Sequence, residues 1–471
     1  MGCFKLWIPR RRFRRSARTP ANSRTPRDSN SMSGEKSSLA DEPPAYAAPG
    51  YQVYGDEKRD AVVRTIETTI DDASADLRDV SLAMFDHPEL AYKEKYAHDL
   101  LTKFMRSQGF EVTEHAFGLE TAWSATFQHG HGGRTIGVNS EMDALPGVGH
   151  ACGHPLIAIV GVSIALALKK ALVEHDVAGK VVLLGTPAEE NGAGKIKLID
   201  AGAYKEMDIC LMAHPGPGPA KTAGTGSSLA IRVLNVEFFG HTSHASAAPW
   251  EGQNALDAAV LVYNAVSMLR QQTPPDHRVH GIIIGRDWAS NIIPDYAKMK
   301  YIVRAPRFAQ AEILHARVMN CFKAAGLATS CKVETTNGED LYDLVQNDAL
   351  AAEFASVSKA LYDVQVGDAP GAIGGSTDFG NVTYAVPALH PSFAIPTAPG
   401  NGNHTPGFTE WARKPAAHEA ALVVAKGLAV VGWKAIVDDA FFGQVREAFE
   451  RQVGLRNEEL AQVQQDLAAN A

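Results

Sequence analysis

The chain has 471 residues, is 45% hydrophobic and 21% charged, and carries a formal net charge of −8. That length accommodates two domains with cores of ordinary size, and the acid excess argues against a general nucleic-acid binder. Five irregularly spaced cysteines, at 3, 152, 210, 321 and 331, argue against a disulfide framework and for a reducing compartment.

Residues 1–57 form an arm unlike the rest. The first 33 residues hold Lys5 and eight arginines against Asp28, a composition that buries no core and is expected to be disordered. An Arg-rich, acid-poor start fits a mitochondrial transit peptide. Gly2 and Cys3 ahead of basic residues fit a dual lipid anchor at a membrane, although Leu6 stands where the acylation pattern prefers Ser or Thr. The plainer reading is an extended start before Met32, which leaves a cytoplasmic protein. Pro43, Pro44 and Tyr46 in "PPAY" fit the ligand of a WW-domain partner, and a Pro-rich linker is the plainer account.

From about residue 59 the pattern is regular. Residues 59–108 read as helices that stop at Gly109. Short apolar strands then alternate with helices. "RTIGVNSEMDALP" (134–146) and "GKVVLLGTPAEENGAG" (179–194) are strands ending in acids, "MDICLMAHPGPG" (207–218) is a strand ending at His214, and "PALHPSFAIP" (387–396) is another. The thirteen uncharged residues 156–168 are too short to span a bilayer and end in Lys169-Lys170. The alternation predicts an α/β fold, a mostly parallel sheet sandwiched by helices. Such sheets gather their chemistry beyond the carboxyl ends of the strands.

Residues 228–338 interrupt this with strand, helix (about 252–271), two strands, helix (about 309–325) and strand. That order is βαββαβ, a ferredoxin-like unit. The expected organisation is a sheet domain over 58–227 and 339–435 with the insert between them. Residues 436–471 form an amphipathic helical tail of no readable function.

If the apolar run 156–168 is a helix buried in the sheet domain, its N-terminus delivers Cys152 and His154 to the sheet end, and thiolate and imidazole are ligands of zinc and similar metals. A Cys-x-His pair alone is weak evidence. His214, the pair Glu189-Glu190, and His404 in the Gly-rich "GNGNHTPGF" make the joint pattern specific.

These residues sit in motifs that resemble one family. "HPELAYKE", "EMDALPGVGHACGH", "GTPAEENGAG", "MAHPGP", "GHTSHASAAPWEGQNALDA", "GGSTDFGN" and "GNHTPGF" follow in order from about 60 to 432. Together they are similar to the co-catalytic metallopeptidases and amidohydrolases that include carboxypeptidase G, carnosinase and aminoacylase. The short link between "MDALP" and "HACGH" resembles the branch with p-aminobenzoyl-glutamate hydrolase and the Xaa-Arg dipeptidases.

The resemblance implies a hydrolase with two divalent metal ions, zinc first, with manganese or cobalt as alternatives. It implies Cys152, His154, Glu190, His214 and His404 as ligands, with Cys152 bridging. Glu189 would be the general base, and Asp143 would orient a ligand histidine. In the insert it implies His244, Asn254 and Arg304 at substrate, with Arg304 suited to a carboxylate. Asp378 in the loop "GGSTDFG" is a further candidate for the substrate cleft. The insert would be a lid and dimerisation domain, pairing a homodimer in which His244 reaches the partner's site. Two positions depart from the pattern. Pro155 replaces the usual Asp, and Glu141 stands where relatives have His or Asp; if Glu141 binds metal, it extends the ligand set.

The implied reaction is hydrolysis of the amide bond of a dipeptide or N-acyl amino acid. The alternatives are an amidohydrolase of aryl- or acyl-amino-acid conjugates and, in another class, an inactive scaffold recruiting WW domains.

Overall fold

The computed structural model describes residues 57–367 and 374–469. The expectations placed on the arm, at Gly2, Cys3, Pro43, Pro44 and Tyr46 among others, lie outside the described residues. The chain begins with helices α1 (Glu57–Asp72), α2 (Ser74–Asp86) and α3 (Lys95–Ser107). It continues through β1 (Glu111–Thr113), β2 (Trp123–His129), β3 (Thr135–Glu141), α4 (His154–Glu174), β4 (Gly179–Thr186), α5 (Gly194–Asp200), β5 (Ile209–Leu211), β6 (His214–Pro217) and β7 (Thr222–Gly224). The insert is β8 (Ala230–Phe239), α6 (Ala255–Leu269), β9 (Arg278–Ile284), β10 (Tyr296–Ala305), α7 (Phe308–Thr329) and β11 (Lys332–Asn337). The rest is α8 (Asp348–Tyr362), β12 (Gln365–Gly367), α9 (Phe379–Ala385), β13 (Ala388–Leu389), β14 (Ser392–Ile395), α10 (Pro406–Ala412), α11 (Pro415–Val437) and α12 (Asp439–Ala469).

The central sheet has the order β1-β2-β4-β3-β5-β13. β4, β3, β5 and β13 run parallel, while β1 and β2 are antiparallel. Every residue of β3 is buried, as a strand covered on both faces requires. Alternate residues of β4 serve opposite faces. Val181 and Leu183 join α1, α2, α4 and α11 in one core, and Leu184 joins Leu198 of α5 and Phe379 of α9 in another.

α4 lies close on β3 because Gly161 has no side chain. A Cβ there would meet Ser140 Oγ at 2.4 Å and the Asn139 carbonyl oxygen at 2.7 Å. Overpacking of this kind would lift the helix off the strand. α4 and α11 are long and apolar enough to cross a membrane, but each is mostly buried in this core.

Three expectations change in detail. The helical stretch expected across 59–108 is interrupted between Asp86 and Lys95, because "HPELAYKE" leaves the helical path to let Leu90 bridge Ala144. The strands expected at 207–218 and 387–396 each break in two. Their first halves, β5 and β13, belong to the central sheet, and their second halves, β6 and β14, belong to another sheet of order β12-β7-β14-β6. The second break falls at the step His390-Pro391, where proline donates no backbone hydrogen bond, and the first falls at Met212-Ala213, just before the step His214-Pro215 that opens β6.

The insert pairs its strands antiparallel in the order β11-β8-β10-β9, with α6 and α7 on one face over Phe238, Met299 and Tyr301. This is the βαββαβ unit. α12 packs on α7, α8 and α11. Asn347 Nδ2 donates to its Val445 carbonyl at 2.9 Å, and the buried Arg456 donates to the Thr383 carbonyl at 3.2 Å. Farther along, Glu459 pairs with Arg307 at 2.7 Å, and Leu460 packs beside Ala230, Ala305 and Phe308 at the root of the insert.

Candidate metal centre

The sheet brings the ligand-type residues to one end. Gly153 has φ +83°, and a Cβ there would meet Pro215 Cγ at 2.6 Å. Only glycine fits both demands. The close approach brings His214 to Cys152, with Nε2 at 3.3 Å from Sγ. His154 opens α4, and its Nδ1 lies 3.2 Å from Asp143 Oδ1 just beyond β3. That contact leaves Nε2 to face the other donors.

The glutamate pair is placed by its backbone. Asp143 accepts hydrogen bonds from the Glu189 and Glu190 amides, at 3.1 and 2.9 Å through its two oxygens. Glu94 accepts from the Ala188 amide at 2.9 Å, and Tyr92 Oη donates to the Gly192 carbonyl at 2.6 Å. Ala188 and Ala193 both have positive φ, so the loop 187–193 is held in a strained path. His404 also has positive φ, at 68°. Its amide donates to the Ala151 carbonyl at 2.8 Å, and its Nε2 lies 3.3 Å from Glu190 Oε1.

Two three-donor sets are built on Cys152. Cys152, His154 and His214 form one, and Cys152, Glu190 and His404 the other, each with its ligand atoms within 4.8 Å of one another. Cys152 belongs to both. His154 Nε2 and Glu190 Oε1 are buried with no hydrogen-bond partner, a cost tolerated where another ligand completes the group. Thiolate, imidazole and carboxylate at this spacing fit zinc and related divalent ions. In the first set Cys152 and His154 are buried and His214 partly so, while the His404 side chain is 55% exposed, so the second opens toward solvent.

Glu189 lies alongside, its Oε2 4.0 Å from His154 Nε2. Burial, then the neighbouring Glu141, Asp378 and Glu190 charges, push its carboxyl well above the usual carboxylate range. Burial opposes ionisation of Glu190 as well, but the adjacent His404 imidazole and the charge of His154 hold it below that range.

The other expected residues fall elsewhere. Asp378 does not line a cleft. It is fully buried and accepts from Lys195 through both oxygens, at 2.6 Å from Nζ and 2.9 Å from the amide. Asn254 caps α6, accepting from the Leu256 and Asp257 amides. Arg304 donates to Ser376 Oγ at 3.0 Å, joining the end of β10 to the loop before α9. His244 is exposed on the insert, and its Nδ1 faces the Ser246 and Ala247 amides of its own loop. His150 is buried edge-on against Phe85 and enters neither donor set.

Sequence reasoning missed Lys195, Glu94 and His390. His390 is buried with its ring centroid 5.9 Å from that of His214, and neither ring nitrogen has a partner. Burial pushes it well below its usual range, so the ring is neutral. The available signal was the repeat of His-Pro in "MAHPGP" and "ALHPSF".

A thiolate shared by two donor sets, beyond the ends of parallel strands and next to a strand-end glutamate, is the framework of a metal-dependent hydrolase of amide bonds. The chain belongs to the peptidase family M20/M25/M40, whose pattern matches residues 137–428. It is 42% identical over 397 residues to the Xaa-Arg dipeptidase of Mus musculus, covering 81% of this chain and 90% of the relative. It is 28% identical to a p-aminobenzoyl-glutamate hydrolase chain of Escherichia coli (strain K12), covering 58% of this chain and 60% of the relative. Among solved structures, a dinuclear metal-binding M20 peptidase of Bacillus subtilis superposes with a TM-score of 0.60 over 79% of this chain and all of that one; at 19% identity the likeness is one of fold.

Proposed function

We propose that the chain is a metallo-dipeptidase that cleaves a short peptide or N-acyl amino acid. The observation that carries this is the pair of donor sets sharing Cys152, with Glu189 beside them. Cys152, His154 and His214 would hold one divalent cation, and Cys152, Glu190 and His404 the second. Zinc suits these ligand types best, with manganese and cobalt as the alternatives. When bound, such ions supply the Lewis acidity that brings the pKa of water toward neutrality.

Glu189 takes the proton of the attacking water and passes it to the leaving amine. Its burial favours holding that proton between the two steps. Asp143 keeps the two glutamates apart in function by gripping both their amides, and it fixes the His154 tautomer through Nδ1. Arg304, steadied by Ser376, is placed to pair with a substrate carboxylate.

The dipeptide reading is favoured over aryl conjugates by the 42% identity to a dipeptidase against 28% to the aminobenzoyl-glutamate enzyme. The scaffold reading gains no support from the comparisons. The test is metal analysis together with release of free amino acids from a panel of dipeptides and N-acyl amino acids. A metal-loaded enzyme should release an amino acid from at least one dipeptide; metal-loaded protein inert on the whole panel would refute the reading.

The insert is also proposed to pair two copies. Val260, Leu261, Met268, Ile282 and Ile284 are exposed on α6 and β9, with β9 at the edge of its sheet. An apolar edge of this kind suits a twofold partner. His244 would then serve the partner's centre. We expect His244→Ala and Glu189→Gln each to be nearly inactive, and their mixture to regain activity after the protomers exchange. Exchange without recovery would place His244 outside the reaction in trans.

A further inference from the structure

Behind the two donor sets lies a third group of carboxylates. Glu141, Glu189 and Asp378 each bring an oxygen within 4.8 Å of the others, and Glu141 and Asp378 are fully buried. Carboxylates this close and out of water require a cation or protons. The chain supplies the cation itself. Lys195 Nζ lies 2.6 Å from Glu141 Oε1 and 2.6 Å from Asp378 Oδ1, with all three side chains 0% exposed. The other Glu141 oxygen, Oε2, is buried without a hydrogen-bond partner and lies 3.3 Å from His154 Nε2. The ammonium therefore grips a carboxylate whose free end faces a donor of the first set.

The charges at the centre nearly balance. Ionised Cys152, Glu141, Asp143, Glu189, Glu190 and Asp378 carry six negative charges. Two divalent cations and Lys195 leave one uncompensated. Without Lys195, two cations leave two.

Resting on the two-metal reading above, we propose that Lys195 is a positioning residue, an ammonium built into the chain at a third cation place. It anchors Glu141 and Asp378, keeps the centre at two exchangeable ions, and leaves Glu189 free to act as base.

Lys195→Met keeps the unbranched stem of the side chain and removes its charge. After equilibration with excess Zn2+ and removal of unbound metal, the wild type is expected to hold about two ions per chain and Lys195→Met about three, since uncompensated buried carboxylates demand a counter-ion. Turnover should fall about a hundredfold, as Glu189 is engaged by the third ion. Asp378→Asn removes an anion and retains the ammonium, so its zinc affinity in competition with a chelator should fall about tenfold. The combined Lys195→Met/Asp378→Asn variant, closer to balance, should return to about two ions.

A role in packing alone would shift zinc binding in the same direction in both single variants. Lys195→Met with two ions and turnover within about threefold of wild type, or both single variants weakening zinc alike, overturns the proposal. If Lys195→Met does not fold, Asp378→Asn decides: unchanged or tighter zinc overturns it. A wild type that holds no zinc overturns the two-metal reading itself, a result distinct from either.

Discussion

Glu189→Gln is expected to retain its metal and its fold and to lose turnover by about a thousandfold, near the middle of what a positioned general base contributes. The change removes a proton acceptor and alters little else. The Glu189 amide still donates to Asp143, so the loop that carries Glu190 keeps its path. Among the described residues Glu189 belongs to neither of the sets built on Cys152, so metal content should stay at the wild-type level. A thousandfold loss corresponds to about 4 kcal/mol of transition-state stabilisation. The measurement is kcat on the best dipeptide beside elemental analysis of the same sample. Turnover above a tenth of wild type would remove Glu189 from the role of base.

Cys152→Ala is expected to empty both donor sets at once. The thiolate is the one donor common to them, and each set retains only two others. Since even a residue behind a ligand commonly costs about 10–100-fold in metal affinity, loss of a shared ligand should exceed that. Without metal the pocket is costly to bury, with His154 Nε2, Glu190 Oε1 and Glu141 Oε2 all lacking partners. Stability should fall too. An ion present at about a hundred times its Kd contributes about 2.7 kcal/mol, which the variant forfeits. Thermal unfolding with and without added zinc checks this: the wild type should gain in Tm and Cys152→Ala should not. Equal metal content in the two proteins would reduce Cys152 to a packing residue.

The parts of this centre that are legible in the sequence are those set by local pattern. Glu189, Glu190 and His214 follow apolar strands, so the rule for strand ends places them together. His154 follows a glycine that bends the chain into the start of a buried helix. The βαββαβ order of the insert is legible for the same reason, since each element has its own period. What stays hidden depends on distance in sequence. Lys195 is a lone lysine at the start of a short helix, and nothing nearby tells that its partners come from positions 141 and 378. Asp378 reads as part of a cleft loop because a Gly-rich neighbourhood says nothing of burial. The split of residues 207–218 and 387–396 between two sheets is hidden because both halves of each segment are compatible with strand. Only the His-Pro steps, one opening β6 and one just before β14, mark the change of partner.

The manner in which the insert is fastened limits how it can move. Two strand crossings, near residues 229 and 340, would by themselves act as a door hinge. α12 adds a third fastening, with Glu459 and Leu460 on the insert and Arg456 on α9. A door bolted along a second edge does not swing. The motion that remains is a shallow slide of α7 along α12, in which side chains trade neighbours without opening the gap between them.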